Sequence, residues 1–181
     1  MPAYVAMLRG INVTGHNSIK MEQLRGLCEK LGFQKVETYV QSGNVVFQAE
    51  TENPALLSKR ISESIRDSFG LEAPVIVRTT KEMKDVVANN PFLREKDVDS
   101  SKLHVTFLRE AAEKSSLKTL EKLATRQDRF YPVSREIYLY CPEGYGRTKL
   151  SNNAIEKALS ITATTRNWRT TNTLLDMVSK S

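Results

Sequence analysis

Four polar stretches of this sequence hold residues able to bind a ligand or move a proton. RGINVTGHN (9–17) carries Arg9, Asn12, His16 and Asn17 between a short apolar segment and an amphipathic one. QSGN (41–44) sets Ser42 and Asn44 in a tight turn. CPEGYGRTKLSNN (141–153) places Lys149 after two glycines and just ahead of Ser151. ATTRNWRTTNTL (163–174) carries Arg166, Asn167 and the single tryptophan, Trp168. Backbone amides at a helix start, with a fixed cation beside them, attract anions. The first is not a dinucleotide fingerprint or a P-loop, because its glycines are wrongly spaced and no Lys-Ser/Thr pair follows. His16 has the chemistry of a general acid or base near neutral pH, and Lys149 could also act as acid or base, but nothing pairs either with a nucleophile. His104 opens a strand and reads as structural. No metal-ligand spacing occurs, and the sequence names no cofactor.

Each stretch also has a plain structural explanation. Glycine and asparagine permit left-handed turns, and Ser, Gly and Asn are ordinary hairpin residues. The repetition is what core packing does not require: small residues, amides and cations recur at helix starts and turns.

The elements that must position these loops follow from periodicity. AYVAML (3–8) reads as a strand. Residues 20–31 read as a helix with Met21, Leu24, Leu27, Cys28 and Leu31 on one face, stopped by Gly32. ETYV and NVVFQ flank QSG as a hairpin. Asn53 caps a helix with Pro54 at its first position, Leu57, Ile61 and Ile65 as its buried stripe, and Gly70 as its end. PVIVR (74–78) is the next strand. Thr79 and Glu82 form a capping box for a helix ending before Asn89-Asn90-Pro91. PFLREKDVDSS reads as a connecting loop. LHVTFL is a strand, Leu117, Leu120 and Leu123 mark a helix, and FYPVS and EIYLYC form a second hairpin. Ser151 caps the following helix. Thr165 is taken as the cap of a closing helix, from about Arg166 to Val178, which puts Arg166 in a first turn where it opposes the dipole. A bound anion or an internal carboxylate would offset that. Trp168 reads as a core residue.

The order β-α-β-β-α-β followed by β-α-β-β-α predicts an α+β protein of two ferredoxin-like halves, the second a variant with extra helices. The expected boundaries are 1–79 and 80–181. Hairpin turns at Ser42 and Ser134 suggest a partial topological repeat.

Composition sets the outer bounds. Hydrophobic residues make up 40% and charged residues 27%, ordinary for a globular chain. No apolar run approaches membrane-helix length, and the N-terminus lacks a basic n-region, so no membrane partner and a cytoplasmic location are expected. Cys28 and Cys141 read as buried thiols rather than a disulfide framework. The net charge of +6, from 27 basic and 21 acidic residues, favours anionic partners. The bases are scattered, and aromatics do not alternate with them as on a stacking platform.

LRGIN (8–12), Met21 with Leu24, LGF (31–33), TYVQSGNVVF (38–47), GYGRTKLS (144–151) and TTRNW (164–168) together resemble the bacterial domain-of-unknown-function family number 1697. The resemblance implies a cytoplasmic α+β protein of ferredoxin-like halves whose activity has not been established, and it brings no catalytic residues. The family more often shows glycine where Thr14 stands, and asparagine or a similar residue where Arg169 stands.

The leading expectation is that Arg9, Asn12, Ser42, Asn44, Lys149, Arg166 and Asn167 bind a phosphorylated or otherwise anionic small molecule in a cleft between the halves. Nucleic-acid binding is one alternative, although the strands lack clustered exposed aromatics. An enzyme using His16 or Lys149 as acid or base is the other.

Overall fold

Eight strands and six α-helices form among the described residues, 1–50 and 53–181, of this computed structural model. The chain divides into two compact units, Met1–Asp85 with Thr173–Ser181, and Val86–Asn172.

The first unit opens with β1 (Ala3–Leu8), buried along its whole length. Tyr4, Ala6 and Leu8 face the helices, and Val5 and Met7 fill the other face. α1 (Met21–Lys30) buries Leu24, Leu27 and Cys28, the face its periodicity predicts. β2 (Gln34–Tyr39) and β3 (Asn44–Gln48) form the expected hairpin. α2 (Pro54–Phe69) starts where Asn53 accepts a hydrogen bond from Ala55 N and stops at left-handed Gly70. β4 (Val75–Thr79) completes an antiparallel sheet of order β2-β3-β1-β4. The capping box forms as read: Thr79 N donates to Glu82 Oε2 (2.8 Å) and Glu82 N to Thr79 Oγ1 (3.1 Å), starting α3 (Thr80–Ala88).

The second unit holds β5 (Leu103–Leu108), α4 (Lys114–Glu121), β6 (Arg129–Val133), β7 (Glu136–Tyr140), α5 (Asn152–Leu159) and β8 (Ala163–Asn167). The stretch PFLREKDVDSS is not featureless, since 3-10 turns form at Pro91–Arg94 and Ser100–Lys102. β8 corrects the sequence reading, which has a helix beginning there. Thr164-Thr165-Arg166 pair with β5 instead, and α6 (Trp168–Ser179) begins only after Asn167. The sheet order is β6-β7-β5-β8.

The two sheets repeat one plan in detail. Leu8 N donates to Gly43 O at 2.8 Å, and Leu108 N to Arg135 O at 2.8 Å. Arg9 N donates to Pro74 O at 2.9 Å, and Arg109 N to Thr162 O at 2.9 Å. Val5 pairs with Arg78 across β1–β4, and Val105 with Arg166 across β5–β8. Arg78 and Arg166 are therefore counterparts, and both are buried. Trp168 departs from its expected core role: it is half-buried at the start of α6, while Thr171, Leu174 and Val178 take the buried stripe.

Candidate functional site

The repeated plan shows where the two units differ. In the second unit, residues 109–113 suffice to join β5 to α4, whereas the equivalent β1–α1 connection spans 9–20. Between the third strand and the second helix the asymmetry reverses: 49–53 in the first unit, 141–151 in the second. Each unit thus extends one connection, and both were among the polar stretches.

In the first unit the extension folds into a small ribbon. Asn12 N donates to Asn17 O (3.1 Å) and His16 N to Val13 O (2.9 Å). The central residues of the tip, Thr14 (φ 47°) and Gly15 (φ 79°), both have positive φ, as a type I′ turn requires. Asn12 is the fastener. Its Nδ2 donates to Ile19 O (2.9 Å) and to Gln41 O (2.7 Å), and its Oδ1 accepts from Ile19 N (2.8 Å). The ribbon is thereby tied to the β2–β3 turn. There Asn44 is buried, with Nδ2 donating to Tyr39 O (2.9 Å) and Ser42 Oγ (3.2 Å), while Ser42 is exposed. Arg9, half-buried, leaves β1 at the same end. Arg9, Asn12, Ser42 and Asn44 therefore share one end of the first sheet. The amide hydrogens of both asparagines are committed to backbone and hydroxyl acceptors, which makes these residues positioning groups. His16 is exposed on the ribbon.

Thr14 is a β-branched residue in a left-handed conformation, a strain of roughly 1–2 kcal/mol. Asparagine suits the first central position of a type I′ turn. Thr14→Asn is therefore expected to stabilise the protein by about 1 kcal/mol, read as a rise in urea midpoint at unchanged slope. A lower midpoint would show that the tip does not hold this turn.

In the second unit, Tyr145 and Asn152 organise the extension. Gly144 adopts φ 100° and opens a 3-10 turn, Tyr145–Arg147. The Tyr145 hydroxyl oxygen accepts from Asn152 N (2.7 Å), and its ring stacks on His104 with centroids 4.7 Å apart. Asn152 Nδ2 donates to Ala163 O (2.9 Å), and its Oδ1 accepts from the Thr165 hydroxyl (3.0 Å), which also meets Thr106 Oγ1 at 2.7 Å. Ser151 caps α5 through Ala154 N, as expected. The first residue of α5 is thus fastened to Ala163 and Thr165 of β8, while Tyr145 stacks on His104, the β5 partner of Asn167. Lys149 is exposed.

Arg166 lies on a strand, which removes the helix-dipole argument. Its Nη1 donates to Thr164 Oγ1 (2.7 Å) and Thr165 O (3.1 Å). Burial pulls its pKa down to about 10, so it is still a cation at neutral pH. Burial pushes the Tyr145 phenol up, with Thr165, Asn152 and the charge of Arg166 acting the other way. Asn167 takes the capping role assigned to Thr165: its Oδ1 accepts from Thr170 N at 2.8 Å. Both cysteines are buried free thiols, and burial pushes Cys28 up to about 12, which makes it unreactive. Among the described residues no group of His, Cys, Asp and Glu is placed to hold a metal, and no helix is long and apolar enough to cross a membrane.

The seven candidate residues thus fall into two sets, four at one end of the first sheet and three in the second unit, Arg166 and Asn167 on β8 and Lys149 on the connection before α5. Sequence reasoning passed over Tyr145 and Asn152, read His104 as structural at a strand start, and took Thr165 for a helix cap. The signal for Tyr145 was present, an aromatic between two glycines ahead of a helix cap.

The sequence model of the family described as "Protein of unknown function (DUF1697)" matches residues 1–138. The chain belongs to this family. The DUF1697 match takes in the ribbon and the β2–β3 turn and ends before the 141–151 connection and β8. Among solved structures the chain is similar to "The structure of conserved bacterial protein SP0830 from Streptococcus pneumoniae", at 23% identity over 98% of each chain with a TM-score of 0.74. At that identity the likeness speaks for the fold. No curated protein matches.

Proposed function

We propose that this DUF1697 protein binds an anionic small molecule, with phosphorylated metabolites and nucleotides as the leading class, through its two extended connections. The observation that carries the reading is the difference in connection length between units that share strand order and register. The extensions bury Ile11, Ile19 and Leu150, but they also leave His16 and Lys149 exposed on connections that the other unit keeps short. The strand orders support reading both halves as ferredoxin-like, with β8 completing the second. Two free thiols accord with a reducing, cytoplasmic setting.

A thermal-shift screen against sugar phosphates and nucleotides tests this. A ligand at a hundredfold its Kd adds about 2.7 kcal/mol. For a chain of this size that is a rise of roughly 5–10 °C in Tm. Arg9→Ala is expected to abolish the response while lowering the ligand-free Tm by less than the ligand raises it, since Arg9 is half-buried just beyond a strand and outside the core. Equal stabilisation by random polynucleotides, with steep salt dependence, would replace this reading with nucleic-acid binding. No response to any anion would end it.

A further inference from the structure

One aromatic pair holds the 141–151 connection of the second unit. Tyr145 stacks on His104 with centroids 4.7 Å apart and ring planes at 23°. The same phenol accepts from Asn152 N at 2.7 Å, and Asn152 is the first residue of α5. Asn152 in turn holds Ala163 O and the Thr165 hydroxyl of β8. The stack therefore fixes the connection and the helix start together.

His104 Nδ1 is buried and makes no hydrogen bond. A neutral imidazole tolerates this by keeping its proton on Nε2. Nδ1 has no acceptor in hydrogen-bond geometry, so an imidazolium would bury that N–H at a cost the nearby Lys102 carbonyl offsets only in part. Burial accordingly holds His104 below its ordinary range, with the Lys102 carbonyl acting less strongly the other way. The titratable groups around the pair are Tyr145 itself, Cys141 just beyond β7, which also feels the charge of Asp128, and Arg166 on β8, whose cation acts on Tyr145. Arg166 pairs with Val105 and so lies on the other face of the sheet from His104, with its charge felt at Tyr145.

We propose that His104 is an acid-sensitive latch: protonating its ring releases Tyr145, and with it the 141–151 connection and the N-terminus of α5. The consequence that ligand affinity falls in acid rests on the reading above; the latch itself does not. The sign follows from linkage. The ring's pKa is lower in the folded protein than its unfolded value of 6.5, so the unfolded or opened form takes up the proton first. The closed state is fully favoured above that value and loses stability as pH falls below it, down to the folded pKa.

Amide exchange of Asn152, measured by NMR without ligand and corrected for the intrinsic pH dependence, reads the latch directly. Between pH 7.5 and 5.0 its protection is expected to fall about tenfold for each pH unit by which folding depresses the ring. His104→Phe keeps an aromatic ring against Tyr145 and is expected to hold protection constant across that range. Tyr145→Phe removes the acceptor and is expected to lower protection at both pH values. An imidazole signal titrating at or above 6.5 in the natural protein would overturn the proposal, even if His104→Phe fails to fold. So would unchanged Asn152 protection in acid. Sulfate, whose charge is constant over this range, serves as the ligand probe: stabilisation at pH 7.5 that weakens at pH 5.0 supports the coupling. Its failure at both values, with the exchange result intact, counts against the ligand reading alone.

Discussion

Gly43→Ala is expected to destabilise the protein by roughly 2–5 kcal/mol, the sum of a left-handed strain and an overpacking cost. Gly43 has φ 89°, where an L side chain is strained. A Cβ built there lies 2.5 Å from Ile11 Cδ1 and 3.0 Å from both Ile11 Cγ1 and Leu8 Cβ. Neither neighbour has room to yield. Leu8 is fully buried at the end of β1, and Ile11 is buried beneath the ribbon. The methyl group would separate the ribbon from the β2–β3 turn, where Leu8 N donates to Gly43 O and Asn12 to Gln41 O. Urea unfolding checks the magnitude. Gly43→Ala combined with Ile11→Val separates the two contributions: if the contact with Ile11 dominates, the pair is less destabilised than the sum of the single changes. A loss below about 0.5 kcal/mol, the size of an ordinary surface change, would show that the turn does not press on Ile11.

That joint was only half legible in the sequence. Ser-Gly-Asn announces a tight turn, and strong β-formers on both sides announce its strands, so the hairpin could be placed nearly to the residue. That the turn lies against Ile11 is a tertiary fact with no local signal. The ribbon was hidden for a related reason. Its tip carries Thr14 where asparagine or glycine would have marked a two-residue hairpin. Asn12 reads as a ligand donor because its residue type fits, and the local sequence gives no sign of the three hydrogen bonds by which it fastens the ribbon.

Strand β8 was the largest omission in the fold. Its residues, Ala163-Thr164-Thr165-Arg166-Asn167, show no apolar alternation, because polar groups are buried on both faces. Thr165 joins Thr106 and Asn152, and Arg166 bonds to Thr164. A pattern search for hydrophobic periodicity cannot see such a strand. Thr-Thr-Arg-Asn before an amphipathic run imitates a helix cap, and it is one, but displaced to Asn167. The internal repeat carried the missing information. Arg78 ends a recognisable strand, VIVRT, and Arg166 is its counterpart in ATTRN. Aligning the halves on that arginine, rather than on the hairpin turns alone, would have predicted the fourth strand.

Phe47→Ala is the other large effect, expected to cost roughly 3–5 kcal/mol as buried Phe-to-Ala changes do. Phe47 is fully buried on β3, stacked on Phe33 at 4.4 Å and beside Tyr4 at 5.8 Å. Phe33 is covered in turn by Arg60 of α2, whose guanidinium lies 5.2 Å from the ring and donates to Leu31 O at the end of α1. The ring thus joins the sheet to α1 and α2 through Phe33 and Arg60, and truncating it opens a cavity that no single neighbour can fill. Phe47→Leu conserves most of the volume and is expected to lose less than half as much, about 1.5 kcal/mol or under. Equal losses for the two substitutions, in urea unfolding, would show that the aromatic contacts and not the volume set the cost. Phe47 pairs with Tyr4, toward the opposite end of β1 from Leu8 and the ribbon. Phe47→Ala should therefore lower the ligand-free midpoint while leaving the added stabilisation by a bound anion unchanged, the reverse of the pattern expected for Arg9→Ala. An anion response lost together with the core would place the ligand contacts away from the ribbon end.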